Sequence, residues 1–359
     1  MKVLQVMPNF SLAGAEIMCE NLVYALTKRG VDVVVVSFYD QRSAITERLE
    51  ASGIRLYYLG KNMGIDFSMI GKLKKIMQKE KPDVIHTHRY AMQYAVPAAI
   101  LSGVKARVHT VHNIATKEFG KAKRIVANWC YKHHNVCPVA LSEIVKATVI
   151  EEYGIQNEKI PVVYNGIDLL KCNPKSIYMR STPFRILHIG RFSEQKNHDM
   201  LLHAFAKFHE KHADSELLLL GDGELRPRIE ELISDLGLSE SVTLIGVQSD
   251  VCGFLHDADA FVLPSLYEGI PMTLIEAMGT ALPIVATAVG GVPDMLKNGE
   301  SAMLTSVDVD ELVRAFSTLY GSEELRRKLG TAALAASNKF SADEMARKYL
   351  EIYDMLIKR

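Results

Sequence analysis

The sequence has no C-x-x-C pair among its five cysteines, which stand at positions 19, 130, 137, 172 and 252. An odd count without paired spacing argues against a disulfide framework or a zinc-binding cysteine cluster, and it suits a reducing compartment. No stretch reaches the roughly 18–20 apolar residues of a membrane-spanning helix. The first apolar run, Val3–Met7, is too short for a secretory signal and meets Pro8 and Asn9. A cytoplasmic protein is expected, with contact to a membrane from one side left open. There is no low-complexity tract and no net charge; the composition is that of a soluble globular protein.

What is present is long and ordered. A chain of 359 residues exceeds one ordinary core and suits two domains. Charge divides between the halves: residues 1–168 carry 22 Lys and Arg against 15 Asp and Glu, and the remainder carries 20 against 27. That split points to domains with different ligands or surfaces. Short β-branched runs alternate with helical periodicity. KVLQVMP, VDVVVVSF, DVIHTH and ARVHTVH read as strands, with a helix from about Glu16 to Lys28 after the first. The pattern restarts after Asn165-Gly166-Ile167-Asp168, with FRILHIG, ELLLLGDG, SVTLIG, AFVLPS and LPIVAT. Runs that do not alternate in polarity are buried on both faces, as in a parallel sheet covered by helices. The expectation is an α/β protein of two Rossmann-like domains, residues 1–167 and 168–340. The C-terminal segment, about 341–359, carries apolar positions Met345, Tyr349, Ile352, Tyr353 and Leu356 at a spacing that lets its helix pack back on the first domain.

The most informative segment is YEGIPMTLIEAMG, bracketed by Glu268 and Glu276. Pro271 is suited to the first position of a helix. The N-terminus of that helix offers free amides and a positive dipole end to an anion. Carboxylates repel phosphate, so both acids are expected to accept from hydroxyl groups. Phosphate flanked by hydroxyl acceptors describes a nucleotide sugar.

Other strings complete the pattern. Gly190-Arg191, with Lys196 five residues on, follows a strand and would place fixed cations beside a diphosphate; the plainer reading is a turn with two solvated cations. Gly221-Asp222-Gly223 is a tight turn that also keeps space for a base or phosphate. Ala13-Gly14-Ala15-Glu16 opens the first helix, where amides could face phosphate. His86, His88, His109 and His112 lie on two strands, but no carboxylate or cysteine at ligand spacing accompanies them, so a metal is not expected. His112 is the favoured cleft histidine, donating to a sugar hydroxyl or phosphate. His86 and His109 are expected to point into or under the sheet. The strings Asp257-Ala258-Asp259 and Asp308-Val309-Asp310 read as structural or solvated.

The segment Lys117–His134 mixes cations with Phe119, Ile125, Val126, Trp129 and Tyr131. A basic aromatic helix suits an anionic bilayer surface; the bland alternative is a surface helix whose apolar stripe faces the core. Its aromatics are too few and scattered for a nucleic-acid platform, so no nucleic-acid partner is expected.

In this order the strings AGAE, HTVHN, NGID, GRFSEQKN, GDGE, PSLYEGIPMTLIEAMGTALPIVAT and GGVPD resemble a retaining glycosyltransferase of family 4, among the glycosyl transferases of group 1. The likeness spans nearly the whole chain. It implies the GT-B architecture, two parallel sheets facing a central cleft. It also implies roles. Arg191 and Lys196 would bind the diphosphate, and Glu276 would accept from the ribose. Glu268 would lie against the transferred sugar. Backbone amides of Gly269, Ile270, Pro271, Met272 and Thr273 (the proline lending position rather than an N–H) would frame sugar and phosphate. Gly14 would approach the phosphates, with Gly190, Gly221 and Gly223 around the donor, and His112 would contact the sugar near its primary hydroxyl. Two departures are Ala13, in place of the first glycine of the usual pair, and GTALP, without the glycine common before that proline.

The expected reaction moves a sugar, hexosyl or N-acetylhexosaminyl, from a nucleoside diphosphate to an acceptor hydroxyl with the anomeric configuration kept. A UDP-sugar is favoured as donor. The acceptor would be a lipid-diphosphate-linked sugar or polysaccharide precursor of a bacterial surface glycan, met at the inner face of the plasma membrane. No metal or other cofactor is expected. A nucleotide-sugar epimerase of the same shape, or a non-catalytic nucleotide-sugar-binding protein, are the competing readings.

Overall fold

The computed structural model describes residues 1–11, 14–248 and 250–358. They form two compact units, Met1–Ile167 with Phe340–Arg359, and Asp168–Lys339. Ala13, the departure in the first turn, lies outside the described residues.

Each unit is built on a six-stranded parallel sheet. In the first, β1 (Lys2–Met7), β2 (Asp32–Ser37), β3 (Arg55–Tyr58), β4 (Val84–His88), β5 (Ala106–Val111) and β6 (Val136–Ala140) run in the order β3-β2-β1-β4-β5-β6. In the second, β7 (Phe184–Ile189), β8 (Ser215–Leu220), β9 (Val242–Gly246), β10 (Ala260–Leu263), β11 (Ile284–Thr287) and β12 (Met303–Thr305) run β12-β11-β10-β7-β8-β9. Counted within each unit, both orders are the doubly wound 3-2-1-4-5-6. Such sheets bind ligands beyond the carboxyl ends of the strands where the order reverses. Here those strands are β1 and β4 in one unit, and β7 and β10 in the other.

The unbroken valine run of β2 has the consequence expected of it. Val34 and Val36 pack into one hydrophobic cluster and Val33 and Val35 into another on the opposite face. Three further strands, β3, β6 and β12, were not marked by the sequence pattern, and all are sheet edges. β6 carries Pro138, which an edge tolerates.

The helix Ala342–Ile357 belongs to the first unit. Met345, Tyr349, Ile352, Tyr353 and Leu356 are buried in one cluster with Met18, Leu22 and Leu26 of the helix Gly14–Lys28. The Ser341 side chain caps the C-terminal helix by accepting from the Glu344 amide. Gly166 of the NGID string lies against this returning segment: a Cβ there would meet the Ser341 carbonyl oxygen at 2.5 Å.

Candidate active site

Two loops at the reversal point of the second sheet carry the charged candidates. Gly190 follows β7 and leads through Arg191 to a short 3-10 turn, Glu194–Lys196. Ser265 to Glu268 follow β10 and lead to the helix Met272–Gly279. Adjacent parallel strands thus bring two distant strings together. Lys196 Nζ lies 2.6 Å from Glu268 Oε1, with side chains only 14% and 6% exposed. Ser265 Oγ donates to the same oxygen at 2.6 Å. Gln195 Nε2 reaches Glu268 Oε2 at 3.4 Å and donates to the Tyr267 carbonyl at 2.9 Å. The Leu266 amide donates to the Gln195 carbonyl at 2.8 Å, lacing the loops.

Lys196, expected at a diphosphate, and Glu268, expected against a sugar, are thus brought into direct contact. They form one ion pair, and Glu268 Oε1 is already engaged by protein donors. Arg191 is different: its side chain is 73% exposed and pairs with Glu224 at 3.0 Å. Gln195, Ser265 and Glu224 were not singled out in the sequence. Gln195 lies inside the GRFSEQKN string, but its neutral amide gave no electrostatic signal.

Glycines set the loop geometry. A Cβ on Gly190 would press on His188 Nε2 and on the Lys196 stem at 3.2 Å. Gly221 has φ +138°, and a Cβ there would collide with the Gly190 carbonyl oxygen; one on Gly223 would collide with the Phe192 carbonyl. Gly290, of the GGVPD string, has φ +54° and lies against the Glu268 carbonyl. By contrast, a Cβ on Gly14 or Gly269 would meet nothing within 4 Å. The protein's own packing does not demand glycine at those two positions.

Pro271 is the residue before the helix rather than its first residue; its ψ of 126° is extended. The helix opens with Met272 and Thr273, and Ile270 is buried just ahead of it. Among the described residues neither the Met272 nor the Thr273 amide is paired, and the buried Thr273 hydroxyl has no partner. Three donors therefore cluster at a positive helix end. Glu276 lies one turn on. Burial, reinforced by Asp250, raises its carboxyl to about 7. The site meets pH 7 with Glu276 near the midpoint of its titration.

In the first unit, His88 ends β4 and His112 follows β5, with His88 Nδ1 3.0 Å from His112 Nε2. Burial, with help from Arg89, lowers His112 to about 3, so it is a neutral imidazole. Arg89 has φ 49° and donates to Glu16, a fully buried acid in the first turn of the helix Gly14–Lys28. His86 and His109 are fully buried on opposite faces of the sheet; His86 bonds Tyr353 and Thr110, and His109 bonds Thr87. Among the described residues no three His, Cys, Asp or Glu side chains are arranged to hold a metal ion. Asp259 is buried and ties down Ser181 and the Arg185 amide, and Asp308 caps the helix Val309–Gly321.

The segment Lys117–His134 divides. Phe119 and Tyr131 are buried, whereas Ile125, Val126 and Trp129 of the helix Lys121–His133 are exposed. The reading of its apolar residues as a core-facing stripe holds for the first two only.

The family description "Glycosyltransferase Family 4" matches residues 12–170, and "Glycosyl transferases group 1" matches residues 173–335. The chain is 29% identical over 315 residues to the Escherichia coli UDP-Gal:alpha-D-GlcNAc-diphosphoundecaprenol alpha-1,3-galactosyltransferase, covering 82% of this chain and 81% of that one. It is 27% identical over 303 residues to the N-acetyl-alpha-D-glucosaminyl L-malate synthase of Bacillus anthracis, covering 80% and 78%. The crystal structure of Anabaena HepE in complex with UDP superposes with a TM-score of 0.84 at 21% identity, covering 99% of this chain and 100% of that one. Two doubly wound units with these likenesses define a glycosyltransferase of the GT-B fold. The chain belongs to glycosyltransferase family 4.

Proposed function

We propose that this glycosyltransferase is a retaining enzyme that uses a nucleoside-diphosphate sugar, with a UDP-sugar as donor, and needs no metal. The observation that carries this reading is the buried Lys196–Glu268 pair, next in sequence to a helix start with three unpaired donors. A diphosphate at that helix end meets the Met272 and Thr273 amides, the Thr273 hydroxyl, Lys196 and the exposed Arg191. Glu276 accepts from ribose hydroxyls. Glu268, through Oε2, accepts from a hydroxyl of the transferred sugar. Gly269, where protein packing leaves room, is a position where the backbone approaches the ligand. UDP in the HepE crystal structure supports the choice of nucleotide.

In the proposed step, the bond between the anomeric carbon and the diphosphate oxygen breaks. The acceptor oxygen bonds that carbon on the same face, and its proton passes to the departing phosphate oxygen. Charge grows on the leaving group, where fixed donors stabilise it most. The cations already at the site serve in place of a metal ion.

The acceptor is proposed to be a lipid-diphosphate-linked sugar or polysaccharide precursor met at an anionic membrane surface. Ile125, Val126 and Trp129 are exposed on the same helix as Lys121, Lys123 and Lys132, a combination suited to the headgroup region. Among the described residues no helix is long and apolar enough to cross a membrane. The E. coli relative is named for a diphosphoundecaprenol acceptor and the B. anthracis relative for L-malate. Support therefore comes from this helix as well as from relatedness.

A thermal-shift panel of nucleotide sugars identifies the donor, because a ligand of the folded state raises its stability. Product from the best donor is then examined for its anomeric configuration. A retained configuration supports the proposal; an inverted one overturns the same-face step.

A further inference from the structure

Gln5 of β1, His86 and His88 of β4 and Thr110 of β5 lie on the sheet face covered by the C-terminal helix, among Val3, Val84 and Val108. All four are fully buried. Polar side chains in such a layer cost stability unless each finds a partner, and here each does. His112 Nε2 is 3.0 Å from His88 Nδ1, and His88 Nε2 is 2.9 Å from Gln5 Oε1. Gln5 Nε2 is 3.4 Å from the Tyr353 hydroxyl, which is 2.6 Å from His86 Nδ1. His86 Nε2 is 2.7 Å from Thr110 Oγ1, itself 2.6 Å from the Tyr349 hydroxyl. One continuous chain of hydrogen bonds runs from His112 to two tyrosines of the C-terminal helix.

The members are neutral. Burial lowers His86 and His88 well below the usual histidine range and raises Tyr349 and Tyr353 above the usual phenol range. In a neutral imidazole one nitrogen donates and the other accepts, so each bond fixes the next. Gln5 sets the direction. Its carbonyl accepts from His88 at 2.9 Å, the ordinary N–H···O length, and its amide nitrogen faces Tyr353. The reversed amide would require the hydroxyl to donate across 3.4 Å, further outside the O–H···O range than the N–H···O range. His88 therefore carries its proton on Nε2 and accepts at Nδ1. His112 in turn carries its proton on Nε2 and donates it to His88. Its Nδ1 makes no hydrogen bond among the described residues and is not among the buried unpartnered atoms.

We propose that Gln5 and His88 are positioning residues that hold His112 as the Nε2–H tautomer, so that its Nδ1 accepts a hydrogen bond from a substrate hydroxyl. This rests on the reading of His112 as a substrate contact. It reverses the direction expected from the sequence, in which His112 donates. It also selects the partner: a hydroxyl has a proton to give, whereas a deprotonated phosphate oxygen has none and is repelled by the lone pair. Tyr353 secures the Gln5 amide, so the C-terminal helix takes part in setting the state of His112.

The test is long-range proton–nitrogen NMR on the full-length, nitrogen-15-labelled protein, with His112 assigned by its loss in His112→Ala. The wild type should show an unprotonated Nδ1 and a protonated Nε2 at His112. The opposite tautomer overturns the relay. Gln5→Met should mix the two tautomers and lower kcat by about tenfold, the scale of one lost neutral hydrogen bond. An unchanged His112 tautomer in that variant removes Gln5 from the role. Should Gln5→Met fail to fold, Tyr353→Phe, which keeps the ring and frees the amide, gives the same reading. Turnover of His112→Ala is scored separately: a wild-type rate overturns substrate contact, while the ring-nitrogen signals judge the relay on their own.

Discussion

Lys196 Nζ and Glu268 Oε1 stand 2.6 Å apart, joining two loops 72 residues distant in sequence. Removing one partner of a buried pair leaves the other charge uncompensated, at a cost of about 3 kcal/mol. Lys196→Met should therefore unfold at lower urea and lose turnover by about a hundredfold. The double variant Lys196→Met/Glu268→Gln should recover much of the stability and none of the turnover. Urea unfolding and initial rates separate the two effects; recovery of both together would make the pair structural only.

Glu276 provides a pH signature. Its carboxyl is raised to about 7 by burial and by Asp250, so between its ordinary value of 4.5 and about 7 the folded state holds a proton that the unfolded chain releases. Stability from this group therefore falls as pH rises through that window. Donor affinity should move the opposite way, because the ionised carboxylate is the better acceptor of ribose hydroxyls. Titration calorimetry should show tighter binding at pH 8 than at pH 6 in the wild type and a flat profile in Glu276→Gln. A sloping profile in the variant would assign the effect elsewhere.

Two glycines separate packing from ligand approach. Gly290 has φ +54° against the Glu268 carbonyl, so Gly290→Ala should distort the Glu268 loop and destabilise the fold by about 1–3 kcal/mol. Gly269→Ala meets no protein atom within 4 Å. Its stability should stay within about 0.5 kcal/mol of wild type while donor affinity drops. Thermal unfolding beside donor titration checks both; unchanged affinity in Gly269→Ala would remove that backbone from the site.

The central strands and the charged candidate residues stood out because burial and charge mark single positions. The valines of β2 are buried on both faces, and no other element explains such a run. Of the edge strands, β9 was legible as SVTLIG, whereas β3 is partly solvated, β12 is short and β6 is interrupted at Pro138, and these three were not. Lys196 and Glu268 stood out in the sequence, but their pairing depends on β7 lying beside β10, a fact of topology rather than of local pattern. The same holds for Gln5 and Tyr353, 348 residues apart. Gln195 and Ser265 are neutral, and only the fold shows what they hold.

Trp129 is the chain's single tryptophan and lies on the helix proposed to meet the membrane. Its fluorescence should shift to the blue with vesicles containing anionic lipid, stay unchanged with neutral vesicles, and lose the response at high salt. A response to neutral vesicles of equal size would contradict the role given to Lys121, Lys123 and Lys132.

Turnover after exhaustive treatment with EDTA should match that of the untreated enzyme, because fixed cations meet the leaving group. A reversible loss restored by a divalent metal would overturn the metal-free step.

The central claim is that the Lys196–Glu268 loops and the helix Met272–Gly279 bind the diphosphate of a nucleotide sugar. Calorimetric titration of UDP into the wild type, Lys196→Met and Thr273→Val tests it most directly. The account predicts saturable one-site binding to the wild type, weakened by about tenfold or more in each variant. Wild-type affinity in both variants, with their folds intact, would contradict it.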